Sequence, residues 1–217
     1  MSTLKEIKGN LKQAGFKKED IGVTLRLFLC LESLDKLVFT ESPVTVNFVS
    51  GKNPFEYFTG YHQRRNGEEI YNIYVNGIAA LIREENKQGF LYLPSGPKNQ
   101  FKPARYTQEE FLVCTAAHEV RHRFQNNFLA KKFSPRSANL VKDDLLKSVI
   151  RFEELVFEEC REIYAKEKRS KVYIKGRINQ KEFDAKIIER LVAIKIHGKN
   201  AYSLREEIVS IIKKPAP

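Results

Sequence analysis

The sequence lacks the long apolar runs and the paired cysteines that mark several protein classes. None of its apolar runs reaches the length of about 20 residues that a membrane-spanning helix needs. The N-terminal stretch MSTLKEIKGNLKQ has no apolar segment of the secretory type, so we expect no export by that route. Cys30, Cys114 and Cys160 are an odd number at wide spacing and form neither a disulfide framework nor a CxxC metal pair. These absences predict a cytoplasmic protein without a membrane partner, whose thiols are buried and reduced.

Acidic residues are outnumbered by basic ones. The 217 residues contain 38 Lys and Arg against 27 Asp and Glu, which gives a formal net charge of +11. This excess excludes an acidic surface and is compatible with a polyanionic partner such as nucleic acid. The content of 42% hydrophobic and 30% charged residues is typical of a globular chain, and the length predicts a single domain over 1–217. Nothing in the composition predicts an oligomeric state.

The apolar pattern changes its period twice along the chain, which predicts a helix, a small sheet and then a mostly helical half. Thr107 and Glu110 have the spacing of a capping box at the start of the helical half. The predicted helices cover 16–36, 77–86, 107–128, 140–168, 181–197 and 203–213. The predicted strands lie within 37–50, 55–62, 70–76 and 90–93. This order favours an α+β fold with an N-terminal helix and a small, mostly antiparallel sheet before the helical C-terminal half.

The residues that carry chemistry are 118–122, His-Glu-Val-Arg-His, which match the pattern H-E-x-x-H. The chain has only four histidines, and two of them lie here. On a helix His118 and His122 share one face, so both can reach a single Zn²⁺ at about 2.0–2.1 Å. Glu119 lies beside them and is placed to act on a metal-bound water. The alternatives are an internally paired polar patch and a closed structural zinc site, which usually needs cysteine ligands that are absent here.

With this motif on a capped helix, the chain resembles the zincin metallopeptidases. The resemblance covers the motif and its helix, and more loosely the order of helices and strands. It implies a zinc hydrolase in which Glu119 deprotonates water that then attacks a peptide carbonyl polarised by the metal. The longer pattern with a third histidine six residues on does not apply, because that position is Phe128. The resemblance therefore implies a downstream carboxylate on another helix as third ligand, as in glutamate-liganded zincins.

Residues 152–165, FEELVFEECREIYA, are the expected source of that carboxylate. Glu153 lies in the middle of an apolar helical face, where a carboxylate is costly unless it is paired, protonated or bound to metal. Glu158 instead begins a pattern carried by many related families, a ligand Glu with an acid four residues on and a small residue at the eighth position. Arg161 departs from that pattern where those families have a small residue. We favour Glu153 slightly over Glu158, and a surface charge is the simpler account of either.

Three further residues are candidates for contact with a substrate or an oxyanion: Arg121, Tyr164 and His197. An ion pair away from the metal is the simpler role for Arg121. His197 lies at a predicted helix end, where capping is the simpler role. The resemblance also implies that an edge strand beside the active helix pairs with an extended substrate, and 70–76 and 90–93 are the candidates.

The sequence thus favours a cytoplasmic zinc metallopeptidase that acts on a peptide or protein. The alternative is a nucleic-acid-associated regulatory protein on a zincin fold, with its protease activity specialised or lost. The net charge and the basic stretch at 166–181 motivate that alternative. No specificity pocket is readable in the sequence, so the substrate itself is not predicted.

Overall fold

The computed structural model describes residues 4–40, 44–49, 60–65, 68–75, 91–95, 100–129, 141–159, 173–174 and 177–215. Their helices are α1 (Leu4–Gln13), α2 (Lys18–Val38), α3 (Gln108–Phe124), α4 (Asp144–Glu159), α5 (Gln180–Ile196) and α6 (Arg205–Ile212). Their strands are β1 (Thr45–Val49), β2 (Gly60–Arg65), β3 (Glu68–Tyr74), β4 (Leu91–Ser95), β5 (Gln100–Ala104), β6 (Tyr173–Ile174) and β7 (Arg177–Ile178). A π-helical turn, Gln125–Leu129, continues α3, and a 3-10 turn, Ala201–Leu204, precedes α6. This part of the chain is α+β and mostly helical, as predicted.

The long periodic segments are predicted well and the short ones poorly. The helices predicted at 16–36 and 181–197 agree with α2 and α5 to within about two residues, the usual uncertainty of helix ends. Three features are absent from the prediction: α1, β5 and the β6–β7 hairpin. The helix α1 carries a clear signal, since Leu4, Ile7 and Leu11 recur at helical spacing between lysines. The predicted helix at 77–86 lies outside the described residues.

The three-stranded sheet has the order β1–β3–β2. Its β1 runs parallel to β3, while β2 pairs with β3 antiparallel, from Gly60 opposite Ile73 to Arg65 opposite Glu68. The β4–β5 and β6–β7 pairs are also antiparallel, so the strand pairing within the described residues is mostly antiparallel, as predicted. The suggestion that 70–76 pairs with a substrate is wrong, because β3 is bonded on both edges.

The core forms around α3, which packs against α2 on one side and α5 on the other. Ala116, Ala117 and Val120 of α3 are completely buried, and the two small side chains allow the neighbouring helices to approach closely. Leu27 of α2 and Ile188 of α5 belong to the same buried cluster. This packing places one face of α3 against the amino-terminal half of α5.

The cysteines and the helices agree with part of the sequence prediction. Cys30 and Cys114 are free and buried, whereas Cys160 lies outside the described residues. Burial raises the pKa of the Cys114 thiol well above its usual value, because the apolar surroundings disfavour the thiolate. None of the helices in the described ranges is long and apolar enough to cross a membrane.

A capping box begins α3, and its carboxylate also holds the end of α5. Thr107 accepts a hydrogen bond from the backbone N–H of Glu110, whose carboxylate accepts one from the N–H of Thr107 at 2.6 Å. The other oxygen of Glu110 accepts a hydrogen bond from the N–H of Gly198 at 2.8 Å and lies 3.3 Å from His197 Nδ1. His197 is the residue that ends α5. One buried side chain therefore ties the start of α3 to the end of α5.

Replacing Glu110 by glutamine is expected to flatten the loss of stability that accompanies acidification. Burial opposes its ionisation, but the N–H groups of Thr107 and Gly198 stabilise the carboxylate and lower the pKa of Glu110 below its ordinary 4.5. Its stabilisation is therefore present above 4.5 and is lost as the pH falls further. Urea unfolding at neutral and acidic pH measures the free energy of unfolding at each pH. Glu109→Gln, on the same turn and exposed, is the control. If the free energy of unfolding of Glu110→Gln falls with acidification as steeply as that of the wild type, the role given to Glu110 is wrong.

Candidate metal centre

The two histidines of the motif lie one turn apart on α3, and their rings converge as the sequence predicts. His118 Nε2 and His122 Nε2 are 3.1 Å apart, and the rings meet edge to face. The i, i+4 spacing explains this convergence, because it places both side chains on the same face of α3, the face that packs against α5.

A third candidate ligand comes from α5. Glu182 places one carboxylate oxygen 3.2 Å from His118 Nε2 and the other 3.2 Å from His122 Nε2. Ligand atoms at about 2.0–2.1 Å from a tetrahedral zinc are separated from one another by about 3.3 Å. Within the described residues these three side chains form the group that can hold a metal ion. Their chemistry, two imidazoles and a carboxylate, suits Zn²⁺.

Glu153 and Glu158, the carboxylates favoured from the sequence, do not belong to that group. Glu153 is buried as expected, but its carboxylate accepts a hydrogen bond from Arg190 Nε at 2.7 Å. Burial raises the pKa of Glu153 against the opposing effect of Arg190. Glu158 lies on the exposed side of α4. The structure thus satisfies the buried carboxylate of Glu153 by pairing, which was one of the remedies that the sequence left open.

Sequence reasoning missed Glu182, although a signal for it exists. Glu182, Lys186 and Glu189 recur at i, i+4 and i+7, which places three charges on one face of a helix with a largely apolar opposite face. The residue four positions after Glu182 is the basic Lys186. The second acid of this face that contacts a histidine is Glu189, about one turn after Lys186 on α5.

The Nδ1 atom of each histidine also lies next to a polar side chain. His118 Nδ1 lies 2.9 Å from a Glu189 oxygen, and the same oxygen accepts a hydrogen bond from Lys186 Nζ at 2.8 Å. His122 Nδ1 lies 3.0 Å from Gln125 Oε1. Such contacts fix the ring orientation of metal-binding histidines.

The electrostatics of the centre favour a cation between the three ligands. Burial disfavours a charged imidazole, but Glu182 and Glu189 outweigh it and raise the pKa of His118 to about 10. Burial likewise opposes ionisation of Glu182, yet the two histidines hold the pKa of this carboxylate well below its usual range. Either a proton or a metal ion can supply the positive charge that this arrangement stabilises.

The three candidate ligands are mostly but not completely buried. The side chains of His118, His122 and Glu182 keep 10%, 18% and 17% of their surface exposed. Three protein ligands with an accessible fourth position are typical of catalytic zinc sites, whereas structural sites are closed by four. Glu119, the predicted general base, is buried next to His118 in the chain.

The three predicted substrate contacts have different outcomes. Arg121 is completely buried and binds Asp184 through two nitrogens, at 2.6 and 2.9 Å. Its guanidinium is therefore not available to contact a substrate. His197 caps α5 and lies beside Glu110, about 12 Å along α3 from His118 at the usual rise per residue. Tyr164 lies outside the described residues.

Comparisons with known proteins add no relative. No protein-family model matches this chain, and neither a curated protein nor a solved structure shows significant similarity to it. The chemistry of the centre therefore has to be inferred from its own geometry.

Proposed function

We propose that this protein is a zinc-dependent metallopeptidase. The observation that carries the proposal is the convergence of His118, His122 and Glu182, whose facing atoms are separated by 3.1–3.2 Å. Two of these residues come from one helix and the third comes from the helix packed against it. The ligand type, the spacing and the presence of three rather than four ligands among the described residues together match a catalytic zinc centre.

In this proposal each residue of the motif has one role. A bound zinc ion supplies Lewis-acid polarisation of the scissile carbonyl and activates a water molecule. His118, His122 and Glu182 hold the ion, and the rigid packing of α3 against α5 keeps their geometry fixed. Glu119 accepts a proton from the attacking water and returns it to the leaving amine, the general acid–base role that the motif implies.

Two of the strands that have one partner among the described residues lie beside the helices of the proposed centre. Within the described ranges β2 pairs only with β3, and β4 pairs only with β5. The strand β2 lies against α3, and β4 lies against α5, so each is next to a helix that carries ligands. We favour β2 as the substrate strand, because the proline in β4, Pro94, lacks a backbone N–H for the pairing.

Glu119→Gln tests the proposal, since it removes the general base and leaves the ligands in place. Tag-free wild type and variant are both expected to contain close to one zinc per chain. Cleavage of a mixed peptide library should fall by about 10²–10⁴-fold in the variant, the usual contribution of a general base. Glu109→Gln, an exposed neighbour on α3, is the matched control. A wild type without bound zinc, or cleavage that persists in Glu119→Gln, contradicts the proposal.

The nucleic-acid alternative stays a prediction from the net charge of +11. The structure adds one compatible feature, an exposed row of lysines on α1 formed by Lys5, Lys8 and Lys12 at helical spacing. A row of this kind is also common on a solvated helix face, so we rank this function second.

A further inference from the structure

A chain of buried polar contacts runs from the carboxyl-terminal helix to the metal centre. Arg121 donates hydrogen bonds of 2.6 Å to the carbonyls of Ile212 and Lys214 at the end of α6. Its other nitrogens bind Asp184. Asp184 accepts a further hydrogen bond of 2.6 Å from the amide of Gln125. Arg121, Asp184 and Gln125 are all completely buried, so the contacts among these three side chains are shielded from solvent.

The donors and acceptors in this series of contacts determine the orientation of the Gln125 amide. Its Nε2 lies 2.6 Å from a carboxylate oxygen of Asp184 and 2.8 Å from the carbonyl of Lys181. Both partners act as acceptors, since one is a backbone carbonyl and the other is the carboxylate that pairs with Arg121. The NH₂ group must therefore face them, and the amide oxygen must face His122.

The amide oxygen in turn determines the tautomer of His122. An oxygen that only accepts requires the facing Nδ1 to carry a hydrogen, so Nε2 is the nitrogen that a metal ion can use in place of a second hydrogen. That Nε2 is the atom that faces His118 and Glu182. On the other histidine, a Glu189 oxygen lies 2.9 Å from Nδ1 of His118. The Nε2 atoms of both rings face each other and Glu182.

The position of Gln125 depends on a local change in the helix. It is the first residue of the π-helical turn that continues α3, three residues after His122. Single π-turns inside helices are frequently associated with functional sites, because they re-aim one side chain without ending the helix. Here the side chain bridges α3 to α5, at Lys181 and Asp184.

We propose that Gln125 is a positioning residue that holds His122 in the Nδ1–H tautomer, with Arg121 and Asp184 fixing its orientation. This inference rests on the proposed metal site for its purpose, but not for its first observable, which is the tautomer itself. It also assigns a role to the carboxyl-terminal turn, because the carbonyls of Ile212 and Lys214 anchor Arg121.

The test compares wild type with Gln125→Met. In ¹⁵N NMR spectra without metal, Nδ1 of His122 in the wild type is expected to carry a hydrogen, because the facing Gln125 Oε1 only accepts. Gln125→Met removes the acceptor, so the hydrogen is expected to move to Nε2, where Glu182 accepts it. Zinc titration should show affinity lowered by about 10–100-fold, the usual effect of losing a contact to a metal-bound histidine.

Asn126→Ala is the matched control. Asn126 also bridges the π-turn to α5, through Lys181 Nζ at 2.7 Å, but it is not in the chain that ends on His122. In Asn126→Ala the hydrogen position on His122 and the zinc affinity should equal those of the wild type. An Nε2–H tautomer in the wild type overturns the inference, even if Gln125→Met does not fold. Equal zinc affinity in wild type and Gln125→Met also overturns it. A wild type with the expected tautomer but no zinc binding contradicts the proposed function and leaves the assignment of Gln125 supported.

Discussion

Replacing Glu182 by alanine is expected to weaken zinc binding about a thousandfold. Structural zinc sites bind with about 10–16 kcal/mol near neutral pH, and one of three ligands then accounts for roughly 4 kcal/mol. The side chain has 17% of its surface exposed, so water can fill the space that it leaves. Competition titration with a chromogenic zinc chelator measures the dissociation constant directly.

The matched controls are the two carboxylates that the sequence favours. Glu153→Gln should retain zinc but lose stability, because Arg190 loses its charged partner. Glu158→Gln changes an exposed position and should alter neither quantity. Zinc affinity that falls in Glu153→Gln or Glu158→Gln and persists in Glu182→Ala would show that the third ligand lies on α4.

Replacing Arg121 by methionine is expected to cost about 3–5 kcal/mol of folding free energy, because it leaves Asp184 buried without its partner. Both side chains of this ion pair are completely buried. The midpoint of thermal unfolding should fall by about 6–20 °C for a chain of this size. The carbonyls of Ile212 and Lys214 lose their donor in the same variant.

A second substitution separates the ion pair from the packing around it. Arg121→Met combined with Asp184→Leu removes both charges and should recover a large part of the lost stability. Arg151→Met, an exposed change on α4, is the control and should shift stability by less than about 0.5 kcal/mol. If Arg121→Met unfolds at the wild-type midpoint, the pair has no structural role. Urea unfolding monitored by circular dichroism provides these values.

The local features of the site were predictable from the sequence because they depend on helix spacing alone. The capping box of Thr107 and Glu110 and the shared face of His118 and His122 are both separations of three or four residues. A helix places such residues together wherever it lies in the fold. The zincin resemblance implied a downstream carboxylate from a second helix, and the carboxylate that the structure brings to the two histidines is Glu182 rather than Glu153 or Glu158.

The third ligand was not predictable by the same means. A carboxylate on an apolar face signals a cost, but the sequence does not show whether an arginine or a metal ion compensates it. For Glu153 the compensation is Arg190, 37 residues away in the chain. Arg121 was ambiguous for a related reason, since its burial depends on α5 and the carboxyl-terminal turn.

The sequence by itself determined the motif, its helix, the shared face of the two histidines and the α+β class, because composition and short-range spacing specify these. Only the tertiary structure decided that Glu182 joins the histidines, that Glu153 is paired, and that Gln125 contacts His122. These three outcomes depend on how α3, α4 and α5 pack, and contacts over long sequence separations follow from that packing. Periodicity shows which face of each helix is buried, but not which residue of another helix it meets.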